Sequence, residues 1–144
     1  MKISTRGRYA MRVMVNLAMH DKDTYIPLKE IASEEEIPFK YVETIMTELS
    51  KNGLVVGKYG KNGGYKLAKE TSKYSVGEIL RITENELALV DCLDCKEKVC
   101  PRMENCKTMP LWKNLNTLII DYLNSISLMD LLSNNQEFNF GEGI

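Results

Sequence analysis

Apolar positions recur at helical spacing along most of the chain. Tyr9, Ala10, Val13, Met14, Leu17 and Ala18 mark one face of a helix that runs to about Met19, with Ser4 placed to cap it and Ile3 in the staple position. Leu28, Ile31 and Ala32 give a second helix over Leu28–Ser33, with Glu34–Ile37 as a turn. A third helix opens near Pro38, where a fixed φ and a missing N–H are tolerated, and buries Val42, Ile45, Met46 and Leu49. Gly53 ends it, with Lys51 near the negative helix terminus. Two short apolar runs follow, Leu54–Gly57 and Tyr65–Leu67. The intervening KYGKNGG carries the Asn-Gly signal of a tight turn, so the pair reads as a hairpin.

Beyond the hairpin, Ser75-Val-Gly-Glu78 is a capping-box pattern that starts a short helix to about Thr83. A long helix spans Pro110–Ser125, with Leu111, Leu115, Leu118 and Tyr122 in one stripe and Trp112, Ile119, Leu123 and Ile126 beside it. That apolar face is wide enough to cover the first helix on one side and meet a second copy of the chain on the other. Ser127-Leu-Met-Asp130 caps one more small helix. The expected fold is mainly α with a small β-hairpin: a winged helix-turn-helix plus a long C-terminal dimerisation helix. Its parts are a DNA-binding domain at 1–83, a cysteine-rich loop at 84–109, the dimerisation and short helices at 110–133, and a polar tail at 134–144.

Charge sharpens this picture. The net charge is −1, which argues against a wholly basic nucleic-acid coat. Residues 1–69 nevertheless hold 12 Lys/Arg against 8 Asp/Glu (+4), and residues 70–144 hold 7 against 12 (−5). The cationic half coincides with the helix–turn–helix and hairpin, as phosphate contact requires. On the outward face of the third helix, Phe39, Lys40, Tyr41, Glu43, Thr44 and Thr47 can meet base edges in a major groove about 12 Å wide. Lys58, Tyr59 and Lys61 make the hairpin turn a cationic loop sized for the DNA backbone or minor groove. Arg6, Arg8 and Arg12 are either phosphate contacts or solvated cations, and His20 is expected to be a solvated residue at a helix end.

Cys92, Cys95, Cys100 and Cys106 fall within one short irregular segment, interspersed with Lys96, Lys98, Arg102 and Lys107. With no signal-peptide pattern and no apolar run near the ~20 residues of a membrane span, a cytoplasmic, reducing setting is expected. Four thiols there point to an iron–sulfur cluster or zinc, with reactive or unliganded thiols as the remaining alternative. No nucleophile–base constellation, phosphate loop or dinucleotide fingerprint is present, so an enzyme is not expected.

The opening MKISTRGRYAMRVMVNLA, the LKEIA helix, YVETIMTELSKNGLV and GGYKLA occur in this order and resemble the Rrf-two family of winged-helix repressors, the IscR, NsrR and CymR type. The resemblance implies a homodimer on double-stranded operator DNA, a long crossing dimerisation helix, a reading helix after Pro38 and a wing in the minor groove. It puts Glu43 where a glutamate screens operator sequence, while Tyr59 stands where an arginine is frequent, leaving minor-groove contact to Lys58 or Lys61. It further implies a cluster, [2Fe–2S] ahead of [4Fe–4S], with zinc as the alternative. Cys100 and Cys106 match the family's last two cysteines, and Cys92 or Cys95 would be the first ligand. Met109 replaces a ligating histidine, so the extra cysteine is the candidate fourth ligand. Arg8 stands where some members offer an acidic ligand from the partner subunit. Finally, EFNFGEGI resembles the terminus of serine acetyltransferase, which implies that Ile144 docks in cysteine synthase; a polar tail without a partner is the plain alternative.

Overall fold

The computed structural model describes residues 1–94 and 100–133. In order it contains α1 (Thr5–Met19), α2 (Leu28–Glu35), α3 (Phe39–Lys51), β1 (Val55–Lys58), β2 (Gly64–Leu67), α4 (Val76–Thr83), α5 (Met109–Ser125) and α6 (Leu128–Leu132). Helices α2 and α3 make the helix–turn–helix, and β1 and β2 make the antiparallel wing, in which Val55 faces Leu67 and Lys58 faces Gly64.

The core sits where the apolar periodicity puts it. Ala10, Val13 and Met14 of α1 and Val42, Ile45, Met46 and Leu49 of α3 have no solvent exposure. Ser4 caps α1 by accepting from the Gly7 amide, and Ser75 caps α4 by accepting from the Glu78 amide. The Glu78 carboxylate turns outward to Lys69, 2.9 Å away. The complete reciprocal box forms instead on α6, between Ser127 and Asp130.

Three expectations change. Helix α2 continues two residues past Ser33, and the chain reverses at Glu36, which adopts the left-handed conformation (φ 52°). The wing turn closes from Gly60 O to Gly63 N, so Lys61 and Asn62 are its central pair, with Asn62 at φ 64°. The Asn-Gly pair therefore supplies the positive φ one position earlier than a two-residue hairpin would need. Finally, α5 rests on α4, whereas α1 is covered by α4 and α6.

Tyr74 ties the wing to the body. Its ring is 1% exposed, its hydroxyl donates to Leu54 O at 2.6 Å, and the Ala68 and Lys69 amides donate to it at 2.9 and 3.0 Å. Helix α4 approaches α5 closely at Gly77, where any Cβ would collide with the Asn124 side chain. No described helix is long and apolar enough to cross a membrane.

Candidate nucleic-acid interface and cysteine loop

Burying Val42, Ile45, Met46 and Leu49 fixes the rotation of α3, so its opposite face must be solvent-exposed. Phe39 is 42% and Tyr41 40% exposed, and Lys40, Thr44 and Thr47 share that open face, with Glu43 half-buried. Lys40 and Glu43 pair at 3.1 Å. The Thr44 and Thr47 hydroxyls donate to the Lys40 and Glu43 carbonyls, at 3.0 and 2.8 Å. Tyr41 is held edge-on against Tyr9 of α1, with ring centroids 5.3 Å apart, and Arg12 lies over the other ring at 5.5 Å.

Beside α3, the wing presents Lys58, Tyr59 and Lys61 to solvent, and Tyr59 is fully exposed. A groove of about 520 Å³ separates the two elements, lined by Phe39, Glu43, Lys58, Tyr59 and the wing glycines. All nine residues of the third helix and hairpin turn named from the sequence as candidate DNA contacts thus lie on α3 or the wing. One feature was missed. Lys66 on β2 sits 4.9 Å above the Tyr25 ring, with Lys58 at 5.5 Å from the same ring, so the base of the wing carries a second cation. Strand alternation from Gly64 would have placed it.

The α1 arginines are not equivalent: Arg6 and Arg12 pair with acids of α3 and α2, whereas Arg8 stays an exposed cation. Arg6 donates from Nε to Thr83 O at 3.1 Å and pairs with Glu48 of α3 at 3.0 Å. Arg12 pairs with the Glu35 carboxylate at 3.3 Å and also bonds the Glu35 carbonyl. Arg8 is exposed and bonds Thr5 Oγ1. Glu84, the residue after α4, accepts from Ser4 N and Ser4 Oγ at 3.1 and 2.7 Å. Gly7 leaves room for that carboxylate, which a Cβ at this position would displace. The start of α1 therefore joins the root of the cysteine loop to α3.

Cys92, Cys100 and Cys106 are free thiols, each half-buried. Cys95, Lys96, Lys98 and the tail with Ile144 lie outside the described residues. Cys92 lies on a short 3₁₀ turn at Asp91–Leu93, and Cys106 follows another at Met103–Asn105. Thr108 Oγ1 stands 3.3 Å from Cys106 Sγ; that hydrogen bond, with backbone amides and Arg102 in support, holds the Cys106 thiol below its ordinary pKa. The donor set is soft and reduced, with the Cys106 thiol biased toward thiolate, which suits a cluster or zinc. Among the described residues the three sulfurs are not gathered at ligand distance around one point. Loading a metal would require the loop to draw them together.

A helix–turn–helix whose second helix is open to solvent, flanked by a charged wing, defines a winged-helix DNA-binding regulator. Comparison with known proteins narrows the class. The chain belongs to the Rrf2 family, described as iron-dependent transcriptional regulators, whose model matches residues 3–134. The HTH-type transcriptional regulator IscR of Pectobacterium atrosepticum is 32% identical over 143 residues, covering 99% of this chain and 85% of that protein. Among solved structures, CymR, the global cysteine regulator of B. subtilis, superposes with a TM-score of 0.74 at 30% identity, covering 91% of this chain and 95% of that one. T. potens IscR gives 0.71 at 31% identity, with 99% and 94% covered. The chain is a DNA-binding transcription regulator and not an enzyme.

Proposed function

We propose that the protein is a homodimeric repressor whose grip on its operator is set by a metal centre on the cysteine loop. The observation that carries this reading is the α3 face, open to solvent beside the wing while the same helix anchors the core. Lys40, Tyr41, Glu43 and Thr44 would meet base edges in the major groove. Lys58, Tyr59 and Lys61 would meet the backbone or minor groove. Lys40 and Glu43 neutralise one another off DNA. The pair must open before Lys40 can reach a phosphate or guanine, and an unpaired Glu43 disfavours sites that offer it only acceptors.

Dimerisation is supported by α5, which contains no buried residue in 17, with Leu111 and Leu118 more than half exposed. A second copy would cover that stripe. Two reading helices then address half-sites about one DNA turn, or a multiple, apart. Cys92, Cys100 and Cys106, with Cys95, would hold an iron–sulfur cluster, [2Fe–2S] ahead of [4Fe–4S], or zinc. Bound there, either group would order the loop as a negatively charged knot, redox-sensitive if it is a cluster and redox-inert if it is zinc. Thr83 and Glu84 at the loop root, through Ser4 and Arg6, relay that order to Glu48 of α3.

The test is fluorescence anisotropy on palindromic promoter fragments with anaerobically purified protein, alongside iron, sulfide and zinc analysis. Operator binding should weaken steeply with salt, and affinity should differ between loaded and stripped protein. Equal affinity for random DNA, or colourless protein that takes up no metal on reconstitution, defeats the corresponding half of the reading.

A further inference from the structure

Away from both the reading face and the thiols, the end of α1 meets α2 at a cluster of metal-ligating side chains. We propose that His20, Glu30 and Glu34 form a site for a divalent first-row transition-metal ion. His20 follows the last turn of α1, and its Nδ1 lies 2.8 Å from Asn16 O. A proton on Nδ1 donates to that carbonyl and leaves the Nε2 lone pair facing two carboxylates. Glu30 Oε1 is 3.8 Å and Glu34 Oε2 4.0 Å from Nε2, and all three ligand atoms lie within 4.8 Å of one another.

An ion bound at about 2.1 Å from each ligand would bring them to about 3.0–3.4 Å apart. The movement needed is about 1 Å, on glutamate side chains that are 48% and 44% exposed. Glu30 and Glu34 are four residues apart on one helix face, where like charges repel unless a cation intervenes. Arg12 does not supply that cation, because it is engaged with Glu35.

A second, separate observation lies behind the cluster. Asn16 is 95% buried, with 5% of its surface exposed, and its amide is turned onto the acidic group, donating to Glu34 Oε2 at 2.7 Å and Glu35 Oε1 at 3.0 Å. Its Oδ1 is buried without a hydrogen-bond partner. One residue thus orients the histidine through its main chain and a glutamate through its side chain, the outer support that metal ligands require. Imidazole with two carboxylates suits Mn(II), Fe(II) or Zn(II), and the exposed side leaves room for water ligands. A bound ion would clamp α1 to the first helix of the helix–turn–helix, independently of the thiols.

The test titrates Mn(II), which thiolates match poorly, into the reduced full-length protein, reading free Mn(II) by electron paramagnetic resonance and thermal stability by circular dichroism. The expected result is one saturable site per chain and a rise in melting temperature. Affinity should fall at least tenfold in Glu30→Gln and His20→Ala and stay unchanged in Cys106→Ser. Glu30 is exposed, so its variant keeps the fold and carries the comparison alone if the histidine variant does not. No saturable binding in the unmodified protein, unchanged affinity in Glu30→Gln, or loss of affinity in Cys106→Ser overturns the proposal.

Discussion

Arg6 should couple the loop root to the reading helix, and the structure gives a magnitude. Its guanidinium spans Thr83 O and Glu48, at 3.1 and 3.0 Å, with the Arg6 and Glu48 side chains 33% and 32% exposed. A pair open to that extent is screened, so its interaction is about 1 kcal/mol rather than the larger figure its separation suggests. The bond to Thr83 O adds about 1 kcal/mol, because Thr83 is almost fully buried and its carbonyl loses a donor. Arg6→Ala should therefore cost about 2 kcal/mol in urea unfolding. Glu48→Gln keeps an acceptor and should cost less than about 1 kcal/mol. The double variant should fall short of additivity by about 0.5–1 kcal/mol. Operator affinity, measured by anisotropy on loaded and stripped protein, should lose its dependence on loop state in Arg6→Ala. Additive single effects, or a loop response undiminished in that variant, would refute the coupling.

Tyr74→Phe removes a hydroxyl that serves three main-chain groups and should destabilise the protein by about 2 kcal/mol while loosening the wing. Burial pushes the Tyr74 phenol above its ordinary value near 10, so the folded state holds that proton more tightly than the unfolded one. The associated stability is complete below about pH 10 and is lost as pH rises through the folded-state pKa; an alkaline unfolding series in which Tyr74→Phe keeps the whole of that fall contradicts the assignment. Lys58→Ala should weaken binding to operator and random DNA alike and lower the salt slope by about 0.9, read from anisotropy at several ionic strengths. Leu115→Glu, placed in the exposed stripe of α5, should yield monomers in sedimentation with little change in helicity, and an intact dimer would remove α5 from the interface.

What the sequence made legible is what local physics decides. The apolar spacing of α1 and α3 needs no distant partner, and every α3 position assigned inward is fully buried. Serine caps at Ser4, Ser75 and Ser127 were readable for the same reason. The end of α2 was not. Glu34 and Glu35 carry no apolar marker, and the left-handed reversal falls on Glu36, a residue type that seldom adopts it. The wing turn shifted by one position because either Asn62 or a neighbouring glycine can supply positive φ, and the dipeptide alone does not say which.

The roles of Arg6 and His20 were illegible for a different reason. Each takes its meaning from residues far along the chain: Glu48 and Thr83 for one, Glu30 and Glu34 for the other. In isolation an early-helix arginine looks like a phosphate contact, and a lone histidine at a helix end looks solvated. The fold makes Arg6 a tie from α1 to α3 and α4, and sets His20 opposite two carboxylates of α2. Helix α1 meets the open face of α3 at Tyr9 against Tyr41, its first turn is bonded to the loop root and to α3, and its last residues touch α2. A change at either end of α1 therefore reaches the helix–turn–helix through a different helix, α3 from the front and α2 from the back. Two inputs could act on one reader without sharing ligands, and the thiol and His20 variants should then perturb operator affinity additively, since neither set of contacts includes a residue of the other.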